Sequence, residues 1–219
     1  MKTPIIVLLT LLFFSVFGFA EDGNRIIVDR FSGNLSAWDV QEFNGKTDYT
    51  IVLDSSGQKV LHASSHASAS GLIKHIKFLP NDYPIISWRW KISNIIPEGD
   101  VRSKQSDDYA ARIYIVFPHW IKPLSRTINY IWANKLPQGQ AVPSSYFSRS
   151  MMIAVESGQE KVGHWVSEER NIVADYRMLF GEDPPKVGGI AIMTDTDDTG
   201  ASAQAWYDDL IFKQSNLSR

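Results

Sequence analysis

The chain contains no cysteine. That excludes disulfides, thiolate metal sites and lipid attachment at a cysteine. It also lacks any strong charge imbalance. Lys plus Arg is 22, Asp plus Glu is 24, and the formal net charge is −2, so no electrostatic footprint for nucleic acid exists. No Gly-rich loop follows a strand and opens a helix, which argues against nucleotide folds. His62, His66, His75, His119 and His164 are scattered with no His-Glu-x-x-His among them, so a zinc hydrolase is not expected. No Gly-x-Ser-x-Gly elbow supports Ser-His-Asp catalysis. What remains is a chain of 219 residues, 44% apolar and 21% charged, the balance of a globular protein. That length suits one all-β domain and a core that needs no covalent staple.

The first twenty residues read as a signal peptide. Lys2 supplies a positive start, Ile5 to Phe17 is apolar apart from Thr10 and Ser15, and Gly18-Phe19-Ala20 places small residues for cleavage after Ala20. The rival is an uncleaved anchor, since the apolar stretch is near the lower limit of a membrane span. No second long apolar run follows, so no stable membrane insertion is expected after cleavage. Residues 21–219 would form one β-sandwich domain, periplasmic or secreted. Asn34-Leu35-Ser36 and Asn216-Leu217-Ser218 match the N-glycosylation pattern, which has no meaning in a bacterium.

Short runs rich in Val, Ile, Tyr, Trp and Phe recur between Gly, Pro, Asn, Asp and Ser clusters. The clearest are 25–31, 47–53, 60–63, 85–92, 109–117, 150–156, 187–194 and 203–212. Such strands predict a sandwich or barrel. In Ser87-Trp88-Arg89-Trp90-Lys91 the tryptophans share one face and the polar residues the other. In 109–117 the second face carries Arg112 and Tyr114 with Ala110 and Val116, which suggests either a groove floor or a local ion pair. One helix is predicted near 172–180, with apolar residues at Ile172, Val173, Tyr176, Leu179 and Phe180, Asn171 as cap and Gly181 as stop. The segment 118–145, with four prolines, reads as an irregular excursion along one edge.

Two end segments resemble bacterial carbohydrate-binding jelly rolls. Phe31-Ser32-Gly33-Asn34-Leu35-Ser36-Ala37-Trp38 looks like their opening strand and turn, and Trp206-Tyr207-Asp208-Asp209-Leu210-Ile211-Phe212 like their closing strand. More broadly, the chain resembles the family of exported bacterial proteins known as domain of unknown function 3047. The matching stretches are Trp88-Arg89-Trp90-Lys91, Asp107-Asp108-Tyr109-Ala110-Ala111-Arg112, Asn129-Tyr130-Ile131-Trp132, Arg170-Asn171-Ile172, Asp175-Tyr176-Arg177 and Met193 to Gly200. Together with the strand pattern, these resemblances imply an all-β, antiparallel jelly-roll β-sandwich, galactose-binding-like or lectin-like, with one short helix. They imply an exported setting and no particular activity.

Several residues are candidates for chemistry. In Asp195-Thr196-Asp197-Asp198-Thr199-Gly200 oxygen ligands alternate as in half a calcium loop, although position twelve is Trp206 and a plain polar turn has the same composition. By analogy with jelly rolls that join their first and last strands through a structural calcium, Asp29 and Asp208 or Asp209 are further metal candidates; the alternative is a hydrogen-bonded turn and a solvated acid. Asp107 or Asp108 with Glu156 would be the acid pair of a glycan hydrolase or lyase, against the alternative of surface groups and ion pairs. Sugar rings stack on flat side chains while carboxylates and Arg bind hydroxyls. Asp108, Arg112, Trp120, Tyr130, Trp132 and Trp165 are therefore ligand candidates, with Trp88 and Trp90 expected in the core. The leading expectation is non-catalytic binding of carbohydrate or another envelope ligand. The alternatives are a glycan-active enzyme on the same fold and a structural envelope factor.

Overall fold

The computed structural model describes residues 21–215. The segment read as a signal peptide and the second glycosylation pattern lie outside the described residues. Two seven-stranded sheets face each other. The first sheet holds β1 (Glu21–Asp22), β2 (Arg25–Asp29), β4 (Asp48–Leu53), β5 (Lys59–His66), β7 (Ile85–Ile92), β12 (Val166–Asn171) and β14 (Ser202–Lys213). The second holds β3 (Asp39–Asn44), β6 (Ala69–Phe78), β8 (Tyr109–Phe117), β9 (Arg126–Ala133), β10 (Ala141–Pro143), β11 (Ser150–Ser157) and β13 (Val187–Asp195). From β5 to β8 the chain changes sheet at every step. Later, β13 inserts between β6 and β8 while β14 inserts between β5 and β7. This is a jelly-roll sandwich. No helix among the described residues is long and apolar enough to cross a membrane.

The period-2 pattern places the core. On β7, Ile86, Trp88, Trp90 and Ile92 are buried, while the residues between them are half-exposed. Trp88 stacks on Tyr130 at 5.3 Å between ring centroids, and Trp90 meets Trp132 at 5.9 Å. Burial of each such side chain contributes about 1.5–3 kcal/mol. The helix α1 (Ile172–Phe180) forms as expected. The Asn171 side chain accepts from the main-chain N–H of Val173 and Ala174, and Gly181 closes the helix at φ 72°. A left-handed Asp209, φ 52°, marks a bulge in β14. There the strand exchanges β5 for β2 as its neighbour on one side while keeping β7 on the other.

One expectation needs correction. The segment 118–145 is not only an edge excursion, because it contains β9, paired between β8 and β11. Ile128, Tyr130 and Trp132 point into the main core. Ile131 and Ala133 on the other face are sealed by a second apolar cluster with Val101, Tyr109, Leu136, Met152 and Ala154. Thr127 and Asn129 alternate with the core residues, but Asn129 is buried and the alternation ends at Ile131 and Ala133. The strand pairs are antiparallel as expected, with β9 and β11 as a parallel exception. The connection through β10 carries the chain back to the end where β9 began, as a parallel pair requires.

Candidate functional site

The start of β8 and the end of β13 are neighbours, with Tyr109 opposite Asp195. That pairing gathers the two acidic stretches of the sequence. Arg112 lies at the centre, almost fully buried. Its Nε donates to Asp195 Oδ1 at 2.8 Å, and Nη2 donates to Asp195 Oδ2 and to the Asp107 main-chain oxygen. Nη1 donates to the Tyr114 hydroxyl at 3.2 Å, and the guanidinium carbon stands 4.3 Å from the Tyr109 ring centroid. Asp107 lies 3.8 Å from Arg112 through Oδ2, and its Oδ1 is buried without a hydrogen-bond partner.

Asp108, wholly buried, shapes the acidic loop. Its carboxylate accepts from Asp198 N–H at 3.2 Å, Thr199 N–H at 2.7 Å and the Thr199 hydroxyl at 2.6 Å. The half-exposed Tyr146 covers the cluster, its hydroxyl donating to the Asp198 carboxylate at 2.7 Å. Two carboxylates, Asp195 and Asp107, thus lie against one guanidinium, with Asp108 and Asp198 close behind them. Burial pushes Asp107 up to about 6, with Arg112 opposing the shift. Burial likewise pushes Asp198 up, opposed first by the Tyr146 hydrogen bond. Oxygens of Asp108, Asp195 and Asp197 lie within 4.8 Å of one another, so the group could hold a metal ion. The donor set is of the hard type that calcium takes, although Asp195 already forks onto Arg112.

The other candidates are elsewhere. Asp29 accepts from Trp38 Nε1 at 2.8 Å, from the Phe31 N–H at 2.8 Å and from Lys74 at 3.3 Å. Asp208 binds Arg89, and Asp209 lies 3.6 Å from both Arg30 and Arg89. These first- and last-strand carboxylates hold cationic and N–H partners, apart from Asp208 Oδ1, which is buried without one. Glu156 does not join Asp107 or Asp108. It sits on β11, takes the Lys161 ammonium at 2.6 Å, and faces Glu168 of β12. Glu168 is pushed up to about 7, first by burial and then by the Glu156 charge. The sequence reading missed this pair, since the two glutamates come from different sheets and meet only at the sandwich edge.

Among the aromatics, Tyr130 and Trp132 are core and offer a ligand no face. Tyr130 donates to Asp175 at 2.7 Å, and Trp132 Nε1 donates to the Gly158 oxygen at 3.1 Å. Trp165 is half-buried against Arg89, whose guanidinium carbon stands 4.5 Å from its ring centroid. Trp120 is 86% exposed on the loop after β8. Beside that loop lies a cavity of about 350 Å³ lined by His119, Arg126, Arg149, Tyr176, Glu182 and Asp183, among others. Arg126 donates to the Tyr176 hydroxyl at 2.9 Å and to Glu182. A flat, solvent-facing ring thus stands beside a hollow rimmed by both cations and carboxylates.

Solved structures similar to the chain include the Cip1 cellulose-induced protein, at 10% identity and TM-score 0.49 over 84% of this chain and 95% of that one. A family 11 carbohydrate-binding module from Clostridium thermocellum, in complex with a β-1,3-1,4-mixed-linked tetrasaccharide, matches at 13% identity and TM-score 0.43, covering 88% and 96%. A family 30 carbohydrate-binding module of a cellulosomal cellulase of the same organism matches at 9% identity and TM-score 0.44, covering 82% and 92%. No curated protein matches the sequence. The model of a family described as a protein of unknown function, DUF3047, matches residues 36–211, and the chain belongs to that family.

Proposed function

We propose that this is an exported bacterial protein that binds carbohydrate without turning it over, at the cavity beside Trp120. The carrying observation is the exposed Trp120 indole, packed against His119 of a hollow whose rim mixes Arg126 and Arg149 with Glu182 and Asp183. An indole face suits the C–H face of a sugar ring, and the charged rim suits its hydroxyls. The volume lies within the range of small-molecule sites, about 300–1,000 Å³. A glycan array probed with the purified chain tests this reading. Retention of a glycan by the wild type, and at least about tenfold weaker retention by Trp120→Ala, is expected. Failure of the wild type to retain any glycan overturns the reading.

The same proposal includes export, with cleavage after Ala20. N-terminal sequencing of the mature protein should begin at Glu21. It also includes a structural calcium ion at Asp108, Asp195 and Asp197, supported by the surplus of negative charge around Arg112. The hydrolase alternative has no comparable support. Asp108 is occupied by three donors, and Glu156 is held by Lys161 in a different part of the molecule.

A further inference from the structure

The outer face of the first sheet carries a second arrangement of rings and charges that the Trp120 cavity does not use. The pleat sends Trp88, Trp90, Ala205 and Tyr207 inward, so Arg89, Lys91, Gln204 and Trp206 face out. Register then lines up His62, Trp206 and Lys91 directly across β5, β14 and β7. Trp165 comes alongside because it precedes Val166, the partner of Trp90.

The contacts follow from this alignment. His62 stacks on Trp206 at 5.0 Å between centroids with planes 28° apart. The Lys91 ammonium lies 4.4 Å from the Trp206 centroid and 5.4 Å from that of Trp165, so it stands between two indoles. Both indoles are half-buried, each with part of its surface in water. Arg89, the other cation on this row, is committed to Asp208 at 2.5 Å and to Gln58 at 2.8 Å. Lys91 pairs with no carboxylate among the described residues. Past Arg89 the same face opens into a cavity of about 410 Å³ whose lining includes Arg30, Ser87, Ser167, Glu169 and Asp209.

We infer that this face is a second, separate binding site for a carboxylate-bearing polysaccharide. Two indoles offer stacking surface for successive sugar rings. The ammonium between them is placed to take a carboxylate that a stacked uronic-acid ring carries at its edge. A neutral glycan would leave that ammonium without a counter-charge, and a cationic one would meet Lys91 and Arg89. The lysine stem lying along indole explains its packing, but packing alone gives the half-buried ammonium no anionic partner. The inference does not rest on the Trp120 site, which lies on a loop of the other sheet.

Equilibrium binding of oligogalacturonate to the full chain tests it, with a neutral cello-oligosaccharide and poly-glutamate as controls. The wild type should bind oligogalacturonate with an affinity that falls as salt rises. Lys91→Gln should weaken binding about tenfold or more, Lys91→Arg should restore most of it, and Trp206→Ala should also weaken it. Trp120→Ala should leave it unchanged, which separates this site from the first. Lys91→Gln should keep the wild-type melting temperature, so a loss of binding cannot be a loss of fold. The inference is overturned by absence of oligogalacturonate binding at low salt, by binding indifferent to Lys91→Gln, or by equal affinity for poly-glutamate.

Discussion

Arg112 and Arg89 are built from the same parts and end in opposite situations. Each lies over an aromatic ring, at 4.3 Å from Tyr109 and 4.5 Å from Trp165, and each binds an aspartate. Arg112 is sealed between two strands of the second sheet beneath a loop that Asp108 holds in place, with acids in excess around it. Arg89 stands on the outer face of the first sheet, one alternate position along β7 from a lysine that lacks a carboxylate. Burial, not residue type, separates the two. In the sealed cluster Arg112 is the cation against which Asp195 and Asp107 are buried, and removing it leaves them uncompensated. On the open face Arg89 is likewise committed to Asp208, and Lys91 is the charge left to a partner from solution.

The largest expected effect breaks the sealed side. Arg112→Met strands Asp195 and Asp107 in a dry environment and should destabilise by about 3–5 kcal/mol, a fall in melting temperature of about 10 °C or more. Arg89→Met should cost less, about 1–3 kcal/mol, because Arg89 itself keeps contact with water although the variant leaves the buried Asp208 unpaired. Calorimetry of the two variants measures the contrast directly, and equal losses would remove it.

The next effect lies at the edge where the sheets meet. Glu168 is raised from its ordinary range to about 7, so the folded protein holds its proton more tightly than the unfolded chain. Its contribution to stability is therefore full below about pH 4.5 and is lost as pH rises through 7. With allowance for partial exposure, the loss amounts to about 1–2 kcal/mol. Melts at pH 5 and pH 7.5 should show it in the wild type, and Glu168→Gln should reduce the difference, leaving the part that Asp107 contributes as it ionises near 6. An unchanged pH profile in that variant would mean that the proton is bound elsewhere.

Smaller still is the calcium effect. Millimolar calcium should raise the melting temperature by about 2–4 °C, reversed by chelator, as expected for a ligand that binds only the folded state. Asp197→Asn should abolish the rise without disturbing the Arg112 ion pairs, since Asp197 contacts Asn44 rather than Arg112. A chelator-insensitive melt would leave the surplus acids as purely structural groups.

Local chemistry made much of this fold readable before any coordinates. The strands β7 and β8 and the helix match their expected limits, because alternation and caps are properties of a few neighbouring residues. The strand β9 was not readable, because the polar alternation of Thr127 and Asn129 stops at Ile131 and Ala133, which lie under a second apolar layer. For the same reason Tyr130 and Trp132 read as loop aromatics and proved to be core. Asp108, Asp195 and Asp197 could each be singled out, but their convergence required β8 to lie beside β13, far away in sequence. The Glu156 and Glu168 pair and the ring row over β5, β14 and β7 likewise depend on register between distant strands.

Carbohydrate binding without turnover is tested most directly by titrating the wild type and Trp120→Ala with the best glycan from an array, then weighing the recovered glycan by mass spectrometry. Saturable binding that Trp120→Ala weakens at least about tenfold, with the glycan recovered at its original mass, is the predicted result. Cleaved glycan, or equal affinity in the two proteins, would contradict it.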